Sequence, residues 1–355
     1  MKKINFLIIG IVFHVFSHAQ SFSSPESVEF DAQNNRWFVG QNGSGKINIY
    51  DPSTGMLSSF ASNIPNGPHG IEILANTLYC CDGNKIKGYD LGSGNLVFNL
   101  TLSGSTFLNG LTTDGSNFLF ATDFSAKKIF RINPQSNTFN LMASTTKTPN
   151  GIYYDQANNR CVFVTWSNNA SIQAMSLADS SILTLKSTNL GNMDGITRDQ
   201  NGNWYFTAWS NNSLLKVDAA FVDNPISVLS GLSSPADIDI NATGDSIAIP
   251  NSGTANNVVF YEVENSAGQN ELEQSECMKL FPNPSGQNEF KIVLQEPIIN
   301  GTIQLINSNG EIVLSASANG YIFSLNPEHL PSGTYLVEVK TIHSSLHYKK
   351  FIIIQ

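Results

Sequence analysis

An internal repeat with a period of about 42 residues constrains the fold of this chain more than any other feature. Six segments share one pattern, in which a turn leads into an apolar residue, a variable residue, a small residue and a short apolar strand. The six segments read SPESVEF, GPHGIEI, FLNGLTT, TPNGIYY, NMDGITR and SPADIDI. The variable positions are Glu26, His69, Asn109, Asn150, Asp194 and Ala236, which are spaced 43, 40, 41, 44 and 42 residues apart.

Each unit continues with further runs that favour β-strands. The second runs, rich in β-branched and aromatic residues, read RWFVG, TLYCC, FLFAT, CVFVT, WYFTA and SIAIP. A third run follows in every unit and a weaker fourth closes most of them, with no helical pattern between. Four short strands per repeat, six times over, predict an all-β fold with a six-bladed β-propeller at residues 20–263. A β-sandwich is the alternative, but a sandwich needs no such fixed period.

The sixth unit shows no fourth strand before the polar stretch at residues 264–276, which we interpret as an exposed linker. Residues 277–355 then carry their own strand pattern, including EFKIVL, GTIQLINSNGEIV, GTYLVEV and KKFIII, with Asn-Gly turns at Asn300 and Asn309. This pattern predicts a small β-sandwich of the immunoglobulin-like kind.

The N-terminal residues 1–19 have the features of a signal peptide. Lys2 and Lys3 precede an apolar run, and Ser17-His18-Ala19 offers a small-residue cleavage site. No later stretch reaches the ~18 apolar residues of a membrane span, so we expect an exported protein without a transmembrane segment. The net charge of −9 argues against a nucleic-acid partner, because phosphates require a basic face.

The four cysteines, Cys80, Cys81, Cys161 and Cys277, have no metal-site spacing. Cys80 and Cys81 are adjacent on a strand and should point to opposite faces of its sheet. We expect ordinary buried residues and no disulfide framework.

The repeat brings the six variable residues together. In a propeller the first strand of each blade lines the central channel, so equivalent residues that open this strand form a ring at the channel mouth. We call Glu26, His69, Asn109, Asn150, Asp194 and Ala236 the mouth ring. One Glu, one Asp and two Asn offer oxygen ligands suited to Ca²⁺. A polar ring that only faces the water of the channel is the alternative.

The second strand of each blade returns to the same face of the propeller. It ends at Asp82, Asp123, Trp166 and Trp209 in four of the units, and both tryptophans belong to related segments, WSNN and WSNNS. Two aromatic walls beside a polar centre suit a lactone, a sugar or another flat organic ligand. We therefore predict substrate contacts at Asp82, Asp123, Trp166 and Trp209. Packing of the tryptophans between blades is the alternative.

With these residues in place, the mouth ring resembles the calcium-dependent propellers of the regucalcin and gluconolactonase family and of the related paraoxonases. Glu26 in SPESV, Asn109 in LNG, Asn150 in PNG and Asp194 in MDG match that family's metal ligands in order and register. The resemblance, over residues 25–263, implies one Ca²⁺ and the hydrolysis of a lactone or ester. Asp194 would act as both metal ligand and base.

His69 in PHGI resembles the paraoxonase histidine that takes part in lactone hydrolysis, and the resemblance implies that it is catalytic. Three positions depart from these families. No second histidine stands near Asp82-Gly83, Ser27 replaces an acidic residue, and Phe107 replaces a substrate-binding arginine. Propellers built on the related NHL repeat bind partners only. The second hypothesis is accordingly a non-catalytic surface propeller that binds a glycan or a protein.

Residues 277–355 resemble the sorting domain of type IX secretion. The motifs are LFPNPSGQ at Leu280–Gln287, INSNGEIV, LPSGTYLVEV and the tail YKKFIII. The resemblance implies a secreted or cell-surface protein that uses this domain as its address to the type IX machinery. A generic immunoglobulin-like interaction module is the alternative.

Overall fold

The computed structural model describes residues 22–51, 54–263, 278–281, 290–307, 311–326, 330–331, 333–340 and 348–354. The chain divides into two compact units, the first ending at Val263 and the second beginning at Glu264. The predicted signal peptide and linker lie outside the described residues. Gln156–Asn158, a 3₁₀ turn, is the one helical element among them, and this confirms the all-β prediction.

In its described residues the first unit contains six antiparallel sheets, one for each sequence repeat. The first sheet consists of β1 (Pro25–Asp31), β2 (Arg36–Gln41), β3 (Lys46–Asp51) and β4 (Met56–Ala61). The second consists of β5 (Ile71–Leu74), β6 (Thr77–Asp82), β7 (Lys85–Asp90) and β8 (Leu96–Thr101). The third consists of β9 (Leu108–Thr113), β10 (Leu119–Asp123), β11 (Lys128–Asn133) and β12 (Thr138–Ser144).

The remaining three sheets follow the same order. The fourth consists of β13 (Thr148–Asp155), β14 (Arg160–Trp166), β15 (Ser171–Ser176) and β16 (Ile182–Ser187). The fifth consists of β17 (Met193–Arg198), β18 (Trp204–Ala208), β19 (Ser213–Val217) and β20 (Ile226–Leu229). The sixth consists of β21 (Asp239–Ile240), β22 (Ser246–Asn251) and β23 (Asn257–Glu262), so its described part has three strands, as the sequence predicts.

Burial of apolar side chains between sheets explains the repeat. The first unit contains six apolar clusters, each of which joins residues of two successive sheets. One cluster, for example, packs Val162 of the fourth sheet against Trp204 of the fifth. Another packs Ala248 of the sixth sheet against Val28 and Trp37 of the first. Because the last sheet packs against the first, the six sheets close into a circle.

Hydrogen bonds support the packing between the sixth and first sheets. The backbone N–H of Asp237 donates to the carbonyl of Glu26 at 3.0 Å, and that of Phe30 donates to Asp239 Oδ2 at 2.8 Å. The N–H of Ser24 donates to Asn256 Oδ1 at 2.8 Å. In the described residues, no strand from the N-terminal part joins the sixth sheet, so these contacts and the shared apolar cluster close the circle.

The second unit forms one antiparallel sheet from its described residues. Its strands are β24 (Met278–Phe281), β25 (Phe290–Ile306), β26 (Ile312–Leu325), β27 (Gly333–Lys340) and β28 (Tyr348–Ile354). The order is β24-β25-β27-β28, and β26 also pairs with β25. Phe290, Leu305 and Val337 are fully buried in its apolar core. The prediction of an immunoglobulin-like sandwich remains a prediction.

Cys80, Cys81 and Cys161 are buried and free of disulfides, as the sequence indicates. Cys80 lies in the cluster between the first two sheets and Cys81 in the cluster between the second and third, on opposite faces of β6. Burial raises the pKa of all three thiols. Cys277 lies outside the described residues. A search of the described helices for a long apolar segment finds no candidate membrane span.

Candidate functional site

Successive sheets are joined at the mouth ring by hydrogen bonds to the backbone carbonyls of its residues. Ser27 Oγ donates to the carbonyl of His69 at 3.1 Å, and the N–H of Gly70 donates to that of Asn109 at 2.7 Å. Thr122 Oγ1 reaches the carbonyl of Asn150 at 2.8 Å. Thr207 Oγ1 reaches that of Ala236 at 3.0 Å. Together with the Asp237–Glu26 bond described above, these contacts place the residues of the mouth ring side by side.

Glycine follows the mouth-ring residue in four of the six repeats because adjacent strands approach closely there. A Cβ atom on Gly110 would lie 2.5 Å from the carbonyl oxygen of Asn150, and one on Gly195 would lie 2.5 Å from the N atom of Ile238. Backbone atoms at that distance leave no room for a side chain. The X-Gly pairs in the sequence are therefore the local cause of the convergence at the mouth ring.

The side chains of the mouth ring are buried together. Glu26, His69, Asn109, Asn150 and Asp194 are all 9% exposed or less. His69 Nδ1 lies 3.5 Å from Glu26 Oε1, and Ser252 Oγ donates to Glu26 Oε2 at 3.0 Å. Asn150 Nδ2 donates to the carbonyl of Met193, the neighbour of Asp194, at 3.2 Å. The structure thus brings the predicted residues into one cluster, with Ala236 contributing no polar group.

Several polar atoms of this cluster have no hydrogen-bond partner. They are His69 Nδ1, Asn150 Oδ1 and Asp194 Oδ1. The indole Nε1 of Trp209 also has no hydrogen-bond partner. Buried polar atoms are rarely left unpaired, because each costs about 1–3 kcal/mol. The oxygens of Asn150 and Asp194 are two of the four predicted metal-ligand side chains, so the unpaired atoms coincide with the predicted site.

Asp194 is also electrostatically unfavourable as an isolated carboxylate. Burial raises its pKa well above the ordinary value, and the charges of Glu26 and Asp237 raise the pKa further. The polar groups of Trp209 and Asn150 act in the opposite direction. A bound cation would remove this penalty, because it favours the charged form of a carboxyl group.

The donor set fits Ca²⁺. Among the described residues, no three His, Cys, Asp or Glu side chains converge so as to hold a metal ion by themselves. A cation would therefore need the amide oxygens of Asn109 and Asn150 beside the carboxylates of Glu26 and Asp194. A set of carboxylates and amide oxygens without thiolates suits a hard cation.

Five aromatic rings form a continuous arc along the same end of the second to fifth repeats. His69 contacts Phe107 edge-on at 4.7 Å between centroids, and Phe107 contacts Phe124 at 5.7 Å. Phe124 contacts Trp166 at 5.8 Å, and Trp166 contacts Trp209 at 5.0 Å. All but His69 are half-buried. The two tryptophans thus pack against each other and also expose part of their surface. The first feature agrees with packing between blades, and the second leaves surface for contact with a ligand. Phe107 lies just before β9 and Phe124 just after β10, and the sequence did not indicate that they continue the contacts of the tryptophans.

A cavity of ≈ 480 Å³ lies beside His69. Its lining includes Phe107 of the aromatic arc, the hydroxyl-bearing Thr106 and the amides of Asn42, Asn66 and Asn84. A space of this size admits a small organic molecule. The lining is largely polar, and His69 is its one ionisable residue within the described part of the chain.

Asp82 and Asp123, predicted to contact substrate, are instead engaged within their own loops. Asp82 is 3% exposed, accepts the N–H of Asn66 at 2.8 Å and pairs with Lys87 Nζ at 2.7 Å. Asp123 is fully buried and accepts the N–H groups of Thr106 at 2.7 Å and Ala126 at 2.7 Å. Carboxylates with these partners order the loops of the mouth, so we assign them a structural role.

A second ring lies three residues further along each of the six repeat segments. We call Glu29, Glu72, Thr112, Tyr153, Thr197 and Asp239 the inner ring. Three of its side chains accept a backbone N–H from the next sheet: Glu29 from Ile73 at 3.0 Å, Thr112 from Tyr154 at 3.2 Å and Asp239 from Phe30 at 2.8 Å. The repeat contains the signal for this ring, since its residues have the same spacing as those of the mouth ring.

Residues 279–355 match the family of secretion system C-terminal sorting domains. This match covers the second unit and supports the type IX assignment made from its motifs. The chain is therefore a secreted or cell-surface protein that carries a type IX sorting domain. A search among curated proteins finds no match to the chain.

Solved structures similar to the chain are propellers of low sequence identity. Virginiamycin B lyase from Staphylococcus aureus is 14% identical, with a TM-score of 0.52 over 69% of this chain and 86% of that one. A Bacteroides thetaiotaomicron protein of unknown function is 13% identical, with a TM-score of 0.58 over 69% of this chain and 70% of that one. A chain of the nidogen–laminin complex is 14% identical, with a TM-score of 0.52 over 80% and 97%. At these identities the likeness establishes the β-propeller fold of the first unit.

Proposed function

We propose that the first unit is a six-bladed propeller that binds one Ca²⁺ at the mouth ring and hydrolyses a lactone or ester there. Glu26, Asn109, Asn150 and Asp194 would hold the cation. When bound, Ca²⁺ would polarise the carbonyl group of the substrate. The regucalcin-like resemblance of the sequence supports this proposal, and the solved structures bear on its fold alone.

The observation that carries the proposal is the set of unpaired, buried polar atoms at the mouth ring. Asp194 Oδ1, Asn150 Oδ1 and His69 Nδ1 all lack partners within one cluster. Apart from Trp209, four other described residues of the first unit also have an unpaired buried atom, Ser167, Gln173, Thr197 and Trp204, whereas the buried carboxylates of Asp82 and Asp123 have partners within the protein. A cluster left unpaired at the mouth is better explained by a ligand than by packing.

Each residue has a separate role in the proposed reaction. Asp194 would act as the base, and His69, whose Nδ1 lies 3.5 Å from Glu26 Oε1, would move a proton at that nitrogen. The cavity beside His69 would hold the substrate, and the half-buried faces of Phe107 and Trp166 would contact its flat ring. Trp209 would present its indole N–H towards Asp194.

The sorting domain gives the proposed route of export. A signal peptide at residues 1–19 would direct the chain across the inner membrane, and the type IX machinery would recognise residues 277–355. Hydrolysis would then take place outside the cell or at its surface.

The test is turnover of a panel of lactones and esters by the full chain, with Ca²⁺ or with excess chelator. We expect the chelator to abolish turnover and Asp194→Asn to lower kcat/KM about 100-fold or more. Asp223→Asn is the matched control, because Asp223 is exposed and lies outside the mouth. Full activity in chelator would refute the metal mechanism. Ca²⁺ binding without turnover of any substrate would favour the non-catalytic propeller that binds a glycan or a protein.

A further inference from the structure

A second cavity, separate from the cavity beside His69, lies within the channel at the inner ring. It has a volume of ≈ 230 Å³, and all six inner-ring residues line it together with Asp237. Glu29, Glu72, Asp237 and Asp239 are half-buried, and all four line the cavity. The proposed hydrolase makes no use of this space.

Four carboxyl groups face this cavity without a cationic partner. None of the ion pairs among the described residues involves Glu29, Glu72, Asp237 or Asp239. Glu29 and Asp239 each use one oxygen to accept a backbone N–H, and the carboxyl group of Glu29 also contacts those of Glu72 and Asp239. Like charges held this close are unfavourable unless a proton or a cation lies between them.

The opposite side of the cavity carries hydroxyl groups instead of carboxyls. Thr112, Tyr153 and Thr197 supply them from the third, fourth and fifth sheets, whereas the carboxyls come from the sixth, first and second. Thr197 is 1% exposed, and its Oγ1 has no hydrogen-bond partner. This unpaired hydroxyl is a second indication, independent of the charge, that the cavity accommodates a polar ligand.

The size and the chemistry of the cavity favour an organic cation over a bare metal ion. No three described acidic or histidine side chains are arranged to hold a metal. A primary ammonium group donates three hydrogen bonds and accepts none, which suits an environment of carboxylates. A second polar group a few atoms away could reach the hydroxyl side.

We propose that the inner ring binds a small primary amine that carries a second polar group. Its ammonium group lies among Glu29, Glu72 and Asp239, and its polar group bonds to Thr197. This inference does not depend on the proposed hydrolase, because it uses a different ring of residues and a different cavity.

Calorimetric titration of the full chain with ethanolamine tests this proposal, with tetramethylammonium at equal ionic strength as the comparison. We expect saturable binding of ethanolamine only, since tetramethylammonium has the charge but no N–H donors. Loss of one charge-assisted hydrogen bond should weaken binding about tenfold in Glu72→Gln. Loss of the neutral bond in Thr197→Val should weaken it about threefold.

Glu262→Gln is the matched control, because Glu262 is exposed on β23 and removal of its charge should leave the affinity unchanged. Thermal melting shows whether each variant is folded before titration. Equal affinities of Glu72→Gln and Glu262→Gln for ethanolamine would overturn the proposal, as would equal binding of tetramethylammonium. A lower Ca²⁺ stoichiometry in Glu72→Gln would also overturn it, because the inner ring would then be a metal site.

Discussion

The mouth ring and the inner ring come from the same six repeat segments, three residues apart, and satisfy their polar groups in different ways. At the mouth ring, hydrogen bonds between sheets run to backbone carbonyls, such as those of His69 and Asn150. At the inner ring the side chains of Glu29, Thr112 and Asp239 form the bonds between sheets themselves. Particular mouth-ring atoms, such as Asp194 Oδ1 and Asn150 Oδ1, are left without a partner in the protein.

This difference decides which side chains hold adjacent sheets together. Loss of an inner-ring side chain that bonds two sheets, such as Thr112, should change the free energy of unfolding even without a ligand, because it removes a contact between sheets. Side-chain substitutions at the mouth ring should mainly change ligand binding. At the mouth ring, however, the backbones of adjacent strands lie so close that there is no space for an added side chain. A substitution that adds atoms there should therefore have the largest effect on the free energy of unfolding.

Gly110→Ala should destabilise the first unit by about 1–3 kcal/mol, the usual cost of forcing extra atoms into a packed site. The added Cβ would lie 2.5 Å from the carbonyl oxygen of Asn150 and 3.0 Å from the Cα of Gly151, and neither is a flexible side chain. Chemical denaturation measures the change. Because the third and fourth sheets would separate, Ca²⁺ affinity should fall as well.

Gly92→Ala is the matched control for Gly110→Ala. A Cβ atom on Gly92 would meet only Asp90 Oδ1, at 3.5 Å, which is an ordinary contact. We expect it to leave both stability and Ca²⁺ affinity unchanged. Equal effects of the two substitutions would show that close approach of the strands does not shape the mouth ring.

The sequence predicted the mouth ring because the repeat fixes its register. Glu26, Asn109, Asn150 and Asp194 occupy equivalent positions, and any fold with equivalent strands around one channel brings them together. The same repeat also predicted the short strands of each sheet. The motifs of residues 277–355 were specific enough to indicate the sorting domain, which the family match supports.

The hydrogen-bond partners could not be read from the repeat. Asp82 and Asp194 look alike in the sequence, as acidic residues at the same end of the propeller. In the structure Asp82 pairs with Lys87 and a backbone N–H, whereas Asp194 Oδ1 has no partner. Loop conformation decides this difference, and loop conformation does not repeat with the blades. For the same reason Phe107 and Phe124 were not foreseen as parts of the aromatic arc.

Thr112→Val should lower the free energy of unfolding by about 1–2 kcal/mol, because the N–H of Tyr154 loses the acceptor it has at 3.2 Å. Thr197→Val is the matched substitution at the equivalent position of the fifth sheet. Thr197 Oγ1 has no partner, so its removal should be neutral or slightly stabilising in the absence of ligand. Urea denaturation of both variants measures the contrast, and equal losses would show that the inner ring does not join the sheets through side chains.

The smallest expected effect on stability comes from the carboxyl groups of the inner ring, and this effect depends on pH. Burial raises the pKa of Glu72, and the charges of Asp239 and Asp237 raise it further. Burial likewise raises the pKa of Asp239 from 3.8 to about 6. The folded protein therefore binds more protons than the unfolded chain between the ordinary and the raised pKa values, and stability falls as pH increases through this interval.

Glu72→Gln should accordingly stabilise the protein at pH 7.5, by up to about 1 kcal/mol, because one of the neighbouring carboxylates is removed. The gain should shrink as pH falls and vanish below about pH 4, where Glu72 is protonated in both the folded and the unfolded state. Thermal melting across pH 4–8 in the absence of amines measures it, with Glu262→Gln as the exposed control. A gain for Glu72→Gln that persists unchanged at pH 4 would show that the substitution acts through packing, and the electrostatic contrast between the two rings would then fail.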